Sequence, residues 1–195
     1  VATLNTLLPN GTLVVSPILG SGAYTDIDEG FAGGGPDGAY VQTYINWTGY
    51  VNCPVTDTPV DFVSMITLTY NIRYNLLACV DDTDVLYVQV FKANGSTALT
   101  DKMTVASTPA TGFTNKGNTS FTGVDTAATK TEWDAALLKI SGLHTSTMSA
   151  DNTSWRFDTV ELNGTYTPAI SSRGRSPMMV KPTHVPPYSS FYFGG

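Results

Sequence analysis

Apolar and polar positions alternate along most of this chain, and the period is close to two. The stretch "DFVSMITLTYNIRYN", residues 61–75, is the longest example. Phe62, Ser64, Ile66, Leu68, Tyr70, Ile72 and Tyr74 are expected on one face. Val63, Met65, Thr67, Thr69, Asn71 and Arg73 are expected on the other, which makes this a long half-buried strand. "DVLYVQVFKANGSTALTDKMTV" predicts a strand, a turn at Asn94-Gly95 and a return strand. Asn-Gly suits a type I′ turn, whose two central residues both need positive φ. Leu86, Val88 and Val90 are expected inward, with Tyr87, Gln89 and Phe91 on a partly covered opposite side.

The remaining segments extend the same pattern. "GTLVVSPIL" and "AYVQTYINWTGYV" each read as a strand, and "DIDEGFAGGGPDG" between them reads as a Gly-rich loop. "FTNKGNTSFTGV" suggests a loop with a short strand. Thr129-Lys-Thr-Glu132 forms a capping box ahead of "WDAALLKI" and predicts one short helix, with Trp133 plugging an end of the body. "SWRFDTVELNGTYTP" is the last strand, with a bulge or bend expected at Gly164 and a stop at Pro168. Many short strands joined by turn chemistry predict an all-β, antiparallel sandwich, jelly-roll-like, over residues 1–168. Residues 169–195 read as an extended arm.

Composition sharpens this picture. Only 13% of the 195 residues are charged, about half the ordinary ~25%. Thr, Ser, Asn, Gly and Tyr must then cover the surface, as in extracellular or particle-surface β-proteins. The net charge of −6 is unevenly divided. All 16 acids lie at or before Glu161, and only Arg173, Arg175 and Lys181 among the charged residues fall in the arm. The body therefore carries −9 and the arm +3. An acidic body argues against nucleic acid or an anionic membrane as the main partner. No apolar run is long enough to span a bilayer and no signal-peptide pattern is read at the start. The first residue, Val1, suits removal of an initiator Met or trimming. Cys53 and Cys79 make neither a disulfide framework nor a CxxC metal pair; two buried thiols are the ordinary outcome, and a single bridge is the alternative. N-x-S/T triplets at Asn10, Asn46, Asn94, Asn118, Asn152 and Asn163 come readily in a Thr-rich β-protein, and Asn94-Gly95 and Asn163-Gly164 have a turn explanation.

Each candidate for chemistry has a plainer reading. Asp26, Asp28, Glu29 and Asp37 offer oxygens for calcium, yet they lack an EF-hand pattern and suit a hydrogen-bonded turn, so no metal or cofactor is expected. Asp158 and Glu161, at i and i+3 on a strand, are expected on opposite faces, which does not suit a glycosidase pair. His144 and His184 belong to no HExxH or GxSxG motif. "GFAGGGPDG" has neither a Walker lysine nor a following helix. Tyr44, Trp47, Tyr50 and Trp155 could stack on sugars, but core and rim packing accounts for them as well. No catalytic residue is assigned.

The arm differs in kind. "SSRGRSPMMVKPTHVPPYSSFYFGG", residues 171–195, has no acid, four prolines, and apolar anchors at intervals. Disordered solubilising tails are rich in charge and poor in aromatics. Here prolines limit the entropy lost on docking and aromatics supply area to bury. The expected partner-binding residues are Arg173, Arg175, Met178, Met179, Lys181, Tyr188, Phe191, Tyr192 and Phe193.

The serial order of "DIDEG…PDGAYVQT", "ITLTYNIRYN", "VLYVQVFKANGSTALT", "FTGVDTAATKTEWDAALLKI" and "WRFDTVELNGTYTP", from Ala23 to Pro168, resembles β-sandwich virion structural proteins of tailed bacteriophages. Such proteins include head decoration (cement) proteins and adhesin-type modules of tails and fibres. The resemblance implies a non-enzymatic protein on the outer surface of the phage particle, assembled in the host cytoplasm as a homo-oligomer. Its partners would be the major capsid protein and copies of itself. A carbohydrate-binding module is the alternative, with a glycan as partner, and a glycan hydrolase using unrecognised carboxylates is a remote third.

Overall fold

The computed structural model of the protein describes residues 1–16, 19–21, 40–43, 49–77, 85–107, 112–143 and 154–170. Its strands are β1 (Ala2–Thr3), β2 (Val14–Ser16), β3 (Leu19–Ser21), β4 (Val41–Thr43), β5 (Gly49–Pro54), β6 (Phe62–Leu77), β7 (Val85–Phe91), β8 (Met103–Ala106), β9 (Thr114–Ser120), β10 (Leu137–Leu143) and β11 (Ser154–Pro168). One helix, α1 (Lys130–Asp134), lies between β9 and β10. A six-stranded sheet has the order β3-β4-β11-β6-β9, with β1 on β11, and a five-stranded sheet has the order β2-β5-β10-β7-β8.

This order has a simple origin. β4 pairs with β11, β5 with β10, β6 with β9 and β7 with β8, all antiparallel. The four pairs are nested: they form one double-stranded ribbon whose closed end is β7–β8. Successive pairs fall in alternate sheets, so the ribbon is rolled up, and rolling adds the β6–β11 and β7–β10 ladders. That is a jelly roll. Inward side chains of both sheets, among them Val51, Cys53, Leu68, Tyr70, Ile72, Val88, Val90, Leu138, Ile140, Trp155, Phe157, Val160 and Leu162, form a single core. Cys53 is a free thiol in that core, and burial pushes its pKa up to about 12, so it is chemically inert while the protein is folded. Cys79 lies outside the described residues.

Several expectations are corrected here. The stretch expected as one strand over residues 39–51 is two, β4 and β5, in opposite sheets. Val41 is inward in the six-stranded sheet, and Val51 and Cys53 are inward in the five-stranded one. In β6 the alternation holds from Leu68 to Tyr74 but reverses before it. Thr165 pairs with Thr67 and Tyr166 with Met65, which leaves Ile66 as an extra residue; Val63 is extra in the same way. Each bulge flips the side-chain sequence. Met65 is therefore buried, while Val63 and Ile66 face outward.

At the β7–β8 turn Gly95 has φ +66, but Asn94 does not have positive φ. The turn is therefore not type I′. Gly95 N–H donates to Lys92 O, and Asn94 Oδ1 accepts from Ser96 N and Thr97 N. The asparagine closes the turn with its side chain and leaves the left-handed residue to glycine.

β9 is polar along its whole length and among the described residues pairs only with β6, so no apolar alternation marks it. From it Lys116 Nζ donates to the carbonyls of Thr104 and Val105 on β8, both at 2.8 Å. One lysine thus ties the rims of the two sheets together and occupies acceptors on an edge strand.

The capping box forms as expected. Thr129 Oγ1 accepts from Glu132 N, and Glu132 Oε2 accepts from Thr129 N. Glu132 also pairs with Lys92 at 2.8 Å. The Lys92 ammonium first, and then the Thr129 donors, bring the Glu132 carboxyl down from 4.5 to about 2. A depressed carboxyl stabilises the fold above its unfolded pKa and loses that contribution as pH falls through the folded one. The Glu132 contribution is accordingly complete above 4.5 and fades toward pH 2. Thermal melts of wild type and Glu132→Gln should converge as pH is lowered through this window; equal separation at every pH would contradict it.

Candidate functional site: the outer faces of the two sheets

The outer face of the six-stranded sheet is polar and tightly bonded. In β11, Phe157 pairs with Tyr74 and Thr159 with Arg73, so Asp158 is an extra residue. This bulge turns Asp158 to the outer side, where its Oδ2 lies 3.1 Å from Arg73 Nη1. Glu161 pairs with Asn71 in the ladder and accepts from Asn71 Nδ2 at 2.6 Å. Asn71 and Arg73 are two residues apart and face the same way. Asp158 and Glu161 therefore share one face, contrary to the opposite faces expected from their i, i+3 spacing. The physical reason is again a one-residue bulge.

Sharing a face does not make them an acid–base pair. Asp158 is 2% exposed and engaged by a guanidinium. Glu161 Oε1 accepts from two amides, Asn71 Nδ2 and Asn163 Nδ2, and Thr6 Oγ1 in turn donates to Asn163 Oδ1. Asn71 Oδ1 accepts the backbone N–H of Asn118 on β9. This network joins β6, β9, β11 and the N-terminal segment. Beside it, Arg73 lies 4.9 Å from the Phe113 ring centroid and Arg156 lies 4.6 Å from that of Tyr40. The arrangement fastens the two longest strands to each other.

At the lower end of the same face the chemistry changes. Val63 and Ile66 are exposed by the bulges of β6, and Val60 is 94% exposed. Ala169 N donates to Asp61 O at 2.6 Å, which brings the end of β11 against this corner, and Ile170 is 97% exposed beside it.

The outer face of the five-stranded sheet is built from the residues opposite its core positions. Tyr50 and Tyr87 both pair with Ser141, from either side. In the next row Asn52 and Gln89 flank Lys139, and beyond it Pro54 and Phe91 flank Leu137. Lys139 Nζ stands 4.1 Å from the Tyr50 centroid and 5.1 Å from that of Phe91, and Lys102 Nζ stands 4.3 Å from that of Tyr87. Sequence reasoning singled out Tyr50 but missed Tyr87, Lys102 and Lys139. Strand alternation with Val51, Leu86 and Ile140 inward was the available signal.

Of the other predicted aromatics, Trp155 is wholly buried in the core, while Tyr44 and Trp47 lie outside the described residues. So do His144, His184, Asp26, Asp28, Glu29 and Asp37, and every predicted arm residue: Arg173, Arg175, Met178, Met179, Lys181, Tyr188, Phe191, Tyr192 and Phe193. Among the described residues no group of three or more His, Cys, Asp or Glu is placed to hold a metal ion. Among them, too, no helix is long and apolar enough to cross a membrane. Comparison with protein-family models and with curated proteins found no match to this chain.

Proposed function

We propose that the protein is a non-enzymatic virion structural component, a decoration or cement protein on the outer surface of an assembled capsid. It binds capsid protein and copies of itself through contacts of the jelly roll and through the C-terminal arm. A jelly roll alone does not select a function, since the fold serves capsid and lectin proteins alike. The observation that carries the reading is the way the chain leaves the body. β11 is anchored by the Ala169–Asp61 hydrogen bond, and exposed Ile170 follows at once, beside exposed Val60 and Val63. Beyond that point come 25 residues without an acid, carrying +3 from an acidic body. Such an arm suits docking on a neighbouring acidic surface. Repetition over a lattice turns weak contacts into firm attachment by raising effective concentration. The engagement of Asp158 and Glu161 in the β6–β11 network supports a non-enzymatic reading.

Deletion of residues 171–195 tests this. The truncated protein is expected to keep its circular-dichroism spectrum and melting temperature within a few degrees. Its sedimentation with purified particles is expected to be lost. If the truncated protein coats particles as well as the full chain does, the arm has no part in attachment.

A further inference from the structure

The five-stranded sheet carries a second kind of surface. Its three central strands, β5, β10 and β7, expose no carboxylate: the outward positions are Tyr50, Asn52, Lys139, Ser141, Tyr87, Gln89 and their apolar neighbours. Within a body of −9 this is unusual, and the charges present are cationic. Lys139 and Lys102 form no ion pair among the described residues; each rests its ammonium over a tyrosine ring instead. The acid–base pairing of Lys92 with Glu132 lies at the turn end of the face and is already satisfied. Asn52 is 7% exposed and its Oδ1 has no hydrogen-bond partner among the described residues. It sits under the β7–β8 turn, where a Cβ on Gly95 would come 3.6 Å from Asn52 Nδ2. A buried acceptor without a donor is uncommon.

We propose that this face is a binding site for an acidic saccharide, a glycan carrying carboxylate or sulfate groups. Tyr50 and Tyr87 stand on either side of Ser141, two strand spacings or about 10 Å apart. That separation suits alternate rings of an extended pyranose chain laid across the strands. The tyrosines supply apolar surface for sugar C–H groups, and Ser141 between them supplies a hydroxyl. The acid group of the ligand takes the ammonium of Lys139, with Lys102 reaching it or the next acid group along. A charge-assisted hydrogen bond is stronger than an exposed cation–π contact, so the ligand draws Lys139 away from Tyr50 and uncovers the ring for stacking. An extended peptide is disfavoured, because the backbone groups of β5, β10 and β7 are consumed in ladders and offer no edge for strand addition.

The test is a backbone-amide NMR titration of the full chain. The probes are a chondroitin sulfate hexasaccharide, tri-galacturonic acid, neutral cellohexaose and a hexaglutamate peptide. At least one acidic saccharide is expected to shift the amides of Tyr50, Asn52, Tyr87 and Lys139 saturably, with cellohexaose at least tenfold weaker. Lys139→Gln is expected to weaken the acidic ligand about tenfold and to leave the melting temperature unchanged, which separates binding from folding. Tyr87→Ala should weaken both sugar classes. Shifts by hexaglutamate equal to those by the sugars would overturn the assignment in favour of an acidic-peptide surface. No saturable shift by either acidic sugar, or binding indifferent to Lys139→Gln, would also overturn it. This site stands apart from capsid attachment: a protein that coats particles yet ignores these sugars would refute this inference alone.

Discussion

Gly164→Ala is expected to lower stability by ~3 kcal/mol, seen as a fall in melting temperature of roughly 6–12 °C for a chain of this size. Gly164 lies in β11 opposite Leu68, one residue before a register shift in the β6–β11 ladder. A Cβ there would come 2.1 Å from the carbonyl oxygen of Thr67 and 3.2 Å from Leu68 Cα. Those are backbone atoms, which cannot swing aside as a side chain can. The strand cannot retreat either, because Leu4 N donates to Gly164 O at 2.9 Å on its other side. The methyl must therefore push β6 and β11 apart at the centre of the six-stranded sheet. Nearby contacts depend on that spacing: Thr67 Oγ1 to Thr165 Oγ1 at 2.7 Å, and Thr69 Oγ1 to Asn163 O at 3.2 Å. Gly112→Ala is the control, with nothing among the described residues within 4 Å of the added methyl. A Gly164→Ala protein that melts with the Gly112→Ala protein would show that the two backbones are not in such close approach.

The same position shows what could and could not be read from the residues. Glycine in the last strand announced a bend or bulge, but not that another backbone lay against it, since Thr67 is remote in sequence. Alternation was readable wherever the ladder keeps register, as from Leu68 to Tyr74 and from Leu86 to Val90. It misled at Val63, Ile66 and Asp158, because a bulge inserts one residue without any local signature and reverses every side chain on one side of it. The capping box was readable because both of its bonds span three residues. β9 was nearly invisible, being an edge strand with polar residues on both faces. The two tyrosines of the proposed saccharide face become neighbours only through their shared partner Ser141. Pairing of that kind is set by the rolling of the ribbon and not by any short stretch. The chemistry of residues 171–195 is legible as composition alone, and they lie outside the described residues.

Trp133→Ala is expected to cost about 4 kcal/mol, as a fully buried tryptophan truncated to alanine leaves a cavity the surroundings fill only in part. Trp133 is 0% exposed, although α1 is a single short helix of five residues. So short a helix has no stability of its own. It is held at its start by the capping box and along its side by Asp134, which accepts from Thr58 N at 2.9 Å and from Lys130 Nζ. These polar ties fix the helix where β9 gives way to β10, between the two sheets, and so aim the indole into the core. The ring rather than its N–H does the stabilising, because Trp133 Nε1 is buried with no hydrogen-bond partner among the described residues. A buried unpaired donor is itself a cost. Trp133→Phe should therefore lose only about 1 kcal/mol, the smaller ring giving up area while the unpaired donor disappears. Chemical denaturation of the two variants decides the point. If Trp133→Phe were as damaging as Trp133→Ala, the indole nitrogen would have to be making a bond, and the helix would be seated differently from the packing described here.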